Sequence, residues 1–272
     1  MKMSAFGKSD KGRVRPHNED AMHWDTSRGL FAVADGMGGH AAGEVASRLA
    51  IEAVKDLLGA PPVGAERTED LLRRTVDVAN QRIAEKIRTC PEYYGMGTTL
   101  VIGIVDGDRL CIAHVGDSRA YLVRNGEIRQ LTTDHSLVNE LVKLGILSRE
   151  KAASDPRRNV VTRALGSGMS VAPDVIEERL LPGDVVLLCS DGLNTMLADG
   201  VIQETIDASA GDLDRTCVEL VDAANRAGGE DNVTVVLARP VGAGEDSGES
   251  SGGEPLEEED AGADSPARRS GL

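Results

Sequence analysis

Residues 98–131 read TTLVIGIVDGDRLCIAHVGDSRAYLVRNGEIRQL, and their spacing decides the fold class. Four short apolar runs, 98–105, 109–115, 119–123 and 127–131, have strand character. Asp106-Gly107-Asp108 and Asn125-Gly126 join two pairs of them as tight hairpin turns. Strands joined so closely must return antiparallel, because a parallel neighbour needs a crossover of about a dozen residues or more. Working outward, 69–88 has helical spacing through Leu72, Val76, Ala79, Ile83 and Ile87. So does 42–58, with Val45, Leu49, Ala53 and Leu57 on one face. Leu30 to Ala34 is a buried-strand run ending at Asp35-Gly36, and 184–190 is another. A short helix is expected at 136–144, then a polar stretch to Arg163. Helices follow at 199–209 and 212–227, and a last strand at 233–238. Hairpins mixed with long helices predict an α+β protein, antiparallel sheets with helices packed outside. No internal repeat interrupts this order.

The composition fits that reading. The chain has 272 residues, 40% hydrophobic and 28% charged, the balance of a soluble globular protein. Aromatics are only 2%, so Val, Ile, Leu, Ala and Met must fill the core. A formal charge of −15 disfavours general nucleic-acid binding, although a local basic pocket is compatible with it. No run approaches the ~18 apolar residues of a membrane span, so no membrane partner is expected. The N-terminus lacks the apolar stretch of a secretory signal. Cys90, Cys111, Cys189 and Cys217 form no CxxC pair, and a zinc site is not indicated. A cytoplasmic chain with reduced thiols is expected.

The composition changes near Pro240. Residues 241–272 carry nine acidic and two basic side chains and almost no large apolar ones. Such a segment cannot bury enough surface to offset its ordering entropy, so an acidic disordered tail is expected beyond a domain of residues 1–240. A solubilising role is the plainest one for it; Ser247, Ser250, Ser251 and Ser265 are candidate phosphosites of low specificity.

Acidic turns carry the chemistry. Asp-Gly occurs at Asp35, Asp106, Asp191 and Asp199. Asp106 reads as a plain hairpin turn and Asp199 as a helix cap. Asp35 and Asp191 differ, since each follows an apolar strand and precedes a helix, which can aim a carboxylate into a cleft. Glu19-Asp20, Asp117 and Glu230-Asp231-Asn232 are similar corners beside strands. Singly, each is a turn or a cap. Together they are carboxylates whose mutual repulsion cations would relieve. All-oxygen ligands without His or Cys select hard ions such as Mg²⁺ or Mn²⁺. Two such ions roughly 3.5–4 Å apart would activate a water, which describes a phosphate-ester hydrolase.

In order along the chain stand RPHNED, VADGMGGH followed by GE, GMGTT, AHVGDSR, LTTDHS, TRALG, LLCSDGL and GGEDNVTVV. This series resembles the bacterial protein phosphatase 2C family of metal-dependent Ser/Thr phosphatases, from about Gly12 to Val236. The resemblance implies a central sandwich of two antiparallel sheets flanked by helices, in four layers α-β-β-α, with the metals between the sheets at one edge. It implies that Asp35 bridges two core ions, that the Gly36 carbonyl completes one shell, and that Asp191 and Asp231 bind the other ion. Asp117 would hold a weaker third ion with Asp191. Glu19 and Asp20 would hold metal-bound waters or bind directly, with Asn232 beside them. Arg15 would clamp the substrate phosphate, since a guanidinium fork suits two phosphate oxygens. A metal-activated water would then hydrolyse phosphoserine or phosphothreonine in proteins, opposing a bacterial Ser/Thr kinase.

Animal members carry a histidine after the metal-bridging Asp-Gly; here Met37 stands there. His40 is then a candidate general acid, with a metal-bound water an equal one. His17, His114 and His135 read as structural imidazoles. The polar stretch from Asp134 to Leu165 corresponds to the family's flap; a solvated loop and a substrate-selecting cover are evenly balanced readings. Arg163 and Gly166 are read as fixing local structure. Against an active enzyme stand a phosphoprotein-binding pseudophosphatase and a phosphohydrolase of nucleotides or small phosphates. The intact acidic set counts against the first, the lack of a base-stacking aromatic cluster against the second. Nothing in the apolar pattern demands a dimer, and a monomer is expected.

Overall fold

The computed structural model describes residues 1–38, 42–60, 66–153, 155–167, 170–209, 211–242 and 251–252. Its strands are β1 (Met3–Asp10), β2 (Asp20–Asp25), β3 (Leu30–Met37), β4 (Gly97–Thr98), β5 (Leu100–Asp106), β6 (Arg109–Val115), β7 (Arg119–Arg124), β8 (Glu127–Gln130), β9 (Asp174–Arg179), β10 (Val185–Cys189), β11 (Val233–Pro240) and β12 (Ser251–Gly252). Its α-helices are α1 (Ala42–Leu58), α2 (Thr68–Thr89), α3 (Leu137–Lys143), α4 (Arg149–Ala153), α5 (Asp191–Asn194), α6 (Asp199–Ala208) and α7 (Leu213–Arg226).

Every strand pairing is antiparallel, as the hairpin spacing required. One sheet runs β1-β11-β10-β7-β8 and the other β12-β2-β3-β5-β6-β9, with β4 on β3. The Asn125-Gly126 turn has positive φ at both residues, 53° and 73°, the twist that a two-residue hairpin needs. Three buried clusters separate four layers. Phe31, Val33, Ile112, Val186, Leu188 and Val236 fill the space between the sheets. α1 and α2 cover the second sheet through Ala46, Ala50, Leu72, Val76 and Ile83. α6 and α7 cover the first through Ile202, Cys217 and Leu220. This is the four-layer sandwich that the motif series implied.

The departures have local causes. In α1 the fully buried stripe is Ala46, Ala50, Ala53 and Val54, while Val45 and Leu49 are partly buried at its margin. Ile51 and Leu58 are buried with that stripe, so the face toward the sheet is rotated from the one expected, and its alanines let the helix lie close. Asp199 lies in the first turn of α6; Ala198 occupies the cap position, and Asp199 accepts a 3.3 Å hydrogen bond from the Tyr121 hydroxyl. β1, β2, β9 and α4 lacked clear sequence signals. β1 buries Met3 and the small residues Ala5 and Gly7 on one face, a pattern too mild to read. β9 is DVIEER, whose acidic residues disguise an outer strand.

Among the described residues no helix is long and apolar enough to cross a membrane. The tail expectation falls mostly outside the described residues. Its described pair, Ser251–Gly252, adds to β2 opposite Asp25 and Trp24. A Cβ on Gly252 would lie 2.2 Å from the Trp24 indole, so only glycine lets this strand lie against that ring. Trp24 is the only tryptophan in the sequence, so its fluorescence reports the contact. A chain ending at Pro240 is expected to show red-shifted emission and stronger acrylamide quenching. Its turnover is expected to stay within two-fold, about 0.4 kcal/mol, since no site motif lies beyond Asn232. Unchanged emission would mean that the pair does not cover Trp24 in solution.

Candidate metal centre

The strand registers bring the acidic corners to one end of the sandwich. Asp35, near the end of β3, pairs with Asp20 at the head of β2. In the facing sheet Cys189 pairs with both Val235 and Arg119. The end of β10 therefore lies beside the heads of β11 and β7, and Asp191, Asp231 and Asp117 hang from that same end. The Asp191-Gly192 turn approaches the 231–232 backbone closely; a Cβ on Gly192 would lie 2.0 Å from the Asn232 carbonyl oxygen.

Each carboxylate is held from behind. Thr98 donates its hydroxyl to the Asp35 carbonyl at 2.8 Å, the Thr99 amide donates to the same oxygen at 2.9 Å, and the Asp35 amide donates to Thr99 Oγ1 at 3.0 Å. The GMGTT motif is thus the clamp on the Asp35 backbone. Asp20 is buried, and its Oδ2 accepts from Ser190 Oγ at 2.8 Å and Thr234 Oγ1 at 2.6 Å. Its Oδ1 has no hydrogen-bond partner among the described residues. Asn232 accepts from the Glu19 amide and donates to the Lys11 and His17 carbonyls, tying the 11–19 loop to the head of β11. The Glu19 carboxylate lies over Gly43, whose added Cβ would come 2.5 Å from Oε2.

The electrostatics single out one residue. Burial raises the Asp35 pKa well above its usual value, and the charges of Asp20, Asp191, Asp117 and Asp231 raise it further. Asp20, Asp117 and Asp191 are raised as well, by burial first and by neighbouring carboxylates next. Asp191 is among the carboxylates whose charge acts on Asp35. Such a cluster holds either protons or cations. The orphaned Asp20 Oδ1, the purely oxygen donors and the mutual repulsion fit hard divalent ions.

Arg15 donates to Asp231 Oδ2 at 2.7 Å, and the pair is half exposed. The candidate phosphate arginine thus lies at the rim, against one of the candidate ligands. His40 lies outside the described residues. Met37 pairs with Gly97 in β4.

The LTTDHS motif latches the Asp117 loop, a role that the sequence did not disclose. Asp134 accepts three hydrogen bonds from Arg119, at 2.7–3.1 Å. The His135 amide donates to the Gly116 carbonyl at 2.8 Å, and the Gly116 amide donates back to His135 Nδ1 at 3.0 Å. His114 Nε2 also bonds the Gly116 carbonyl, at 2.9 Å. His114, His135 and Asp174 lie close enough to suggest a second metal trio. The Gly116 amide, however, occupies the His135 Nδ1 lone pair, which leaves the proton on Nε2, 3.3 Å from Asp174. That pattern is a neutral, hydrogen-bonded latch. Burial lowers both imidazole pKa values, His114 to about 4. Arg163 pairs with Asp174 at 2.9 Å, and Gly166 accepts a place beside β4 by donating to Asn80 Oδ1, so both fix local structure as expected.

The protein phosphatase 2C family model matches residues 13–223. The Listeria monocytogenes protein named serine/threonine phosphatase stp is 41% identical over 244 residues, covering 86% of this chain and 95% of its own. The crystal structure of the Mycobacterium tuberculosis serine/threonine phosphatase PstP superposes with a TM-score of 0.81 at 41% identity, covering 87% of this chain and 98% of that one. A structure of the PstP catalytic domain in complex with two manganese ions has a TM-score of 0.80 at 40% identity, covering 88% and 99%. The shared sandwich, the ordered motifs and the matched span agree: this chain belongs to the protein phosphatase 2C family.

Proposed function

We propose that the protein is a metal-dependent serine/threonine protein phosphatase whose catalytic domain is residues 1–240. The observation that carries this is the buried carboxylate cluster centred on Asp35, whose charges repel one another unless protons or cations intervene. Two Mn²⁺ or Mg²⁺ ions would be held by Asp35, the Gly36 carbonyl, Asp191 and Asp231, with Asp117 and Asp191 serving a third. Bound there, they would activate a water and offset phosphoryl charge. Glu19 and Asp20 orient the water shell, and Asn232 holds the loop that carries Glu19. Thr98 and Thr99 fix the Asp35 backbone, so its carboxylate would meet the ions without rearranging. Arg15, which here pairs with Asp231, would be free to bind two phosphate oxygens through its guanidinium once Asp231 serves an ion. His114 and His135 are committed to Gly116 and give no proton. The leaving oxygen takes its proton from His40 or from solvent at the site.

Phosphoproteins are the substrates of this reading, and a bacterial Ser/Thr kinase is the opposing enzyme; the protein acts in the cytoplasm as a monomer. Hydrolysis of a phosphothreonine peptide and of p-nitrophenyl phosphate, with Mn²⁺, Mg²⁺ or EDTA, tests the reading. Metal-dependent turnover is expected. Folded protein that binds phosphopeptide without turnover at saturating Mn²⁺ would make it a pseudophosphatase. Arg15→Ala is expected to lower kcat/KM on the order of 100-fold, mainly through substrate affinity, with Arg15→Lys intermediate. Equal kinetics for Arg15→Ala and the parent would remove Arg15 from the phosphate site.

A further inference from the structure

A groove of about 650 Å³ runs from the metal centre under the 134–165 segment. Its lining has an acidic part, Asp117 and Asp191 of the metal centre, and a basic part, Arg149 and Arg158. The rest is mostly polar, Thr133, Asn139 and Thr195 among it, with Val138, Val142 and Ala152 as apolar members. The lining thus carries opposite charges in a chain whose net charge is −15.

The basic part is unusual in its pairing. Most cations around it are already neutralised: Arg119 by Asp134, Lys143 by Glu140, Arg157 by Asp155 and Arg163 by Asp174. Among the described residues neither Arg149 nor Arg158 lies within ion-pair distance of a carboxylate; Arg149 acts on its neighbour Glu150 only through charge, and both arginines are exposed. Two guanidinium groups that line one groove without an ion pair leave their donors open to an anion. The acidic part cannot supply it, because its carboxylates are committed to the metal centre.

We infer that Arg149 and Arg158 form a subsite for an anionic group on the substrate peptide, apart from the phosphate being hydrolysed. This deepens the phosphatase reading and rests on it. With the scissile phosphate at the Asp35 cluster, the flanking peptide lies along the groove, and a carboxylate or a second phosphate on it reaches the two arginines. A phosphate, with three acceptor oxygens, takes both guanidinium forks better than a carboxylate does. The polar walls suit an extended, hydrophilic segment. A neutral or basic flank gains nothing there and meets the guanidinium charge unmatched.

The test uses peptides with one phosphothreonine and a single Glu, phosphoserine or Ala placed at successive positions on either side. Exposed charge pairs are weak singly, so about three-fold in kcat/KM per arginine, and about ten-fold together, is expected at low salt for the best-placed anion. The preference should lie in KM, shrink in 0.5 M NaCl, and be larger for phosphoserine than for Glu. It should fall to near unity in Arg149→Ala/Arg158→Ala. Arg157→Ala, whose partner Asp155 already neutralises it, should keep it. No preferred position in the parent, or a preference that survives the double substitution, overturns the subsite. A larger effect for Glu than for phosphoserine would restrict it to carboxylates. Absent p-nitrophenyl phosphate turnover by the parent marks a different failure, that of the phosphatase reading, and the subsite falls with it.

Discussion

Asp35→Asn is expected to abolish metal-dependent turnover while making the metal-free protein more stable. The loss should be at least ~1000-fold in kcat, about 4 kcal/mol of barrier, because the one carboxylate that faces all the others is gone. The stability gain follows from the same contacts. Without metal, Asp35 is buried and repelled by the charges of Asp20, Asp191, Asp117 and Asp231. An asparagine carries no charge, so that repulsion is removed, and its Nδ2 adds a donor among acceptors. Its backbone clamp from Thr98 and Thr99 involves no side-chain atom of residue 35, so the strand end keeps its place. Melting in EDTA at pH 7.5 should therefore rise by roughly 3 °C or more relative to the parent. Activity assays and thermal melts on the same preparations check both parts. A variant that is dead but also less stable would mean that the cluster is not strained, and a variant with near-parental turnover would remove Asp35 from the chemistry. The opposite signs are expected of a site built for charge that the fold alone does not compensate.

The second large effect is the pH dependence of stability with and without metal. Asp20, Asp35, Asp117 and Asp191 have raised pKa values when folded, so the folded state holds protons that the unfolded chain releases. Stability of the metal-free protein must therefore rise as the pH falls through those raised values. The histidines act in the other direction. His114, His135 and His23 are lowered by burial, so the unfolded chain binds protons that the folded one refuses once the pH drops below their ordinary value of 6.5. Below pH 6.5 the two trends oppose each other, so the metal-free melting temperature should climb as the pH falls from 8 to about 6.5 and climb less steeply below it. Added Mn²⁺ competes with the protons for the same oxygens, so its stabilisation must grow with pH. At a hundred times its dissociation constant one ion adds about 2.7 kcal/mol. The Mn²⁺-minus-EDTA difference in melting temperature should be small near pH 6 and several degrees near pH 8. A difference that stays constant from pH 6 to 8 would show that the metals do not displace protons from these carboxylates.

The legible features and the hidden ones divide along a physical line. Turn chemistry at Asp106-Gly107 and Asn125-Gly126, the 3.6-residue period of α1 and α2, and the apolar runs of β3 and β10 act within a few residues of chain. A single sequence carries such signals in full, and they were enough for antiparallel sheets with outer helices. The carboxylates of the site were also legible, because each follows or precedes a strand beside a small or polar residue. The motif series then assigned them roles by resemblance.

What the sequence could not carry is every feature made by residues far apart in the chain. Asp20 Oδ2 takes its hydrogen bond from Thr234, 214 positions away, and Arg15 lies on Asp231, 216 positions away. The latch between His135 and Gly116 and the clamp of Thr98 and Thr99 on Asp35 sat within motifs whose role no local rule announces. The buried face of α1 combines Ala46, Ala50 and Ala53 with Ile51, Val54 and Leu58, a face rotated from the one that Val45 and Leu49 suggested. Local backbone preference and periodicity are written in neighbouring residues, so the sequence by itself determined most of the elements and the acidic character of the corners. Charge repulsion, hydrogen-bond partners and cleft polarity depend on distances through space, so only the packing of one sheet on the other decided which carboxylates meet, what holds them and where the unpaired arginines face.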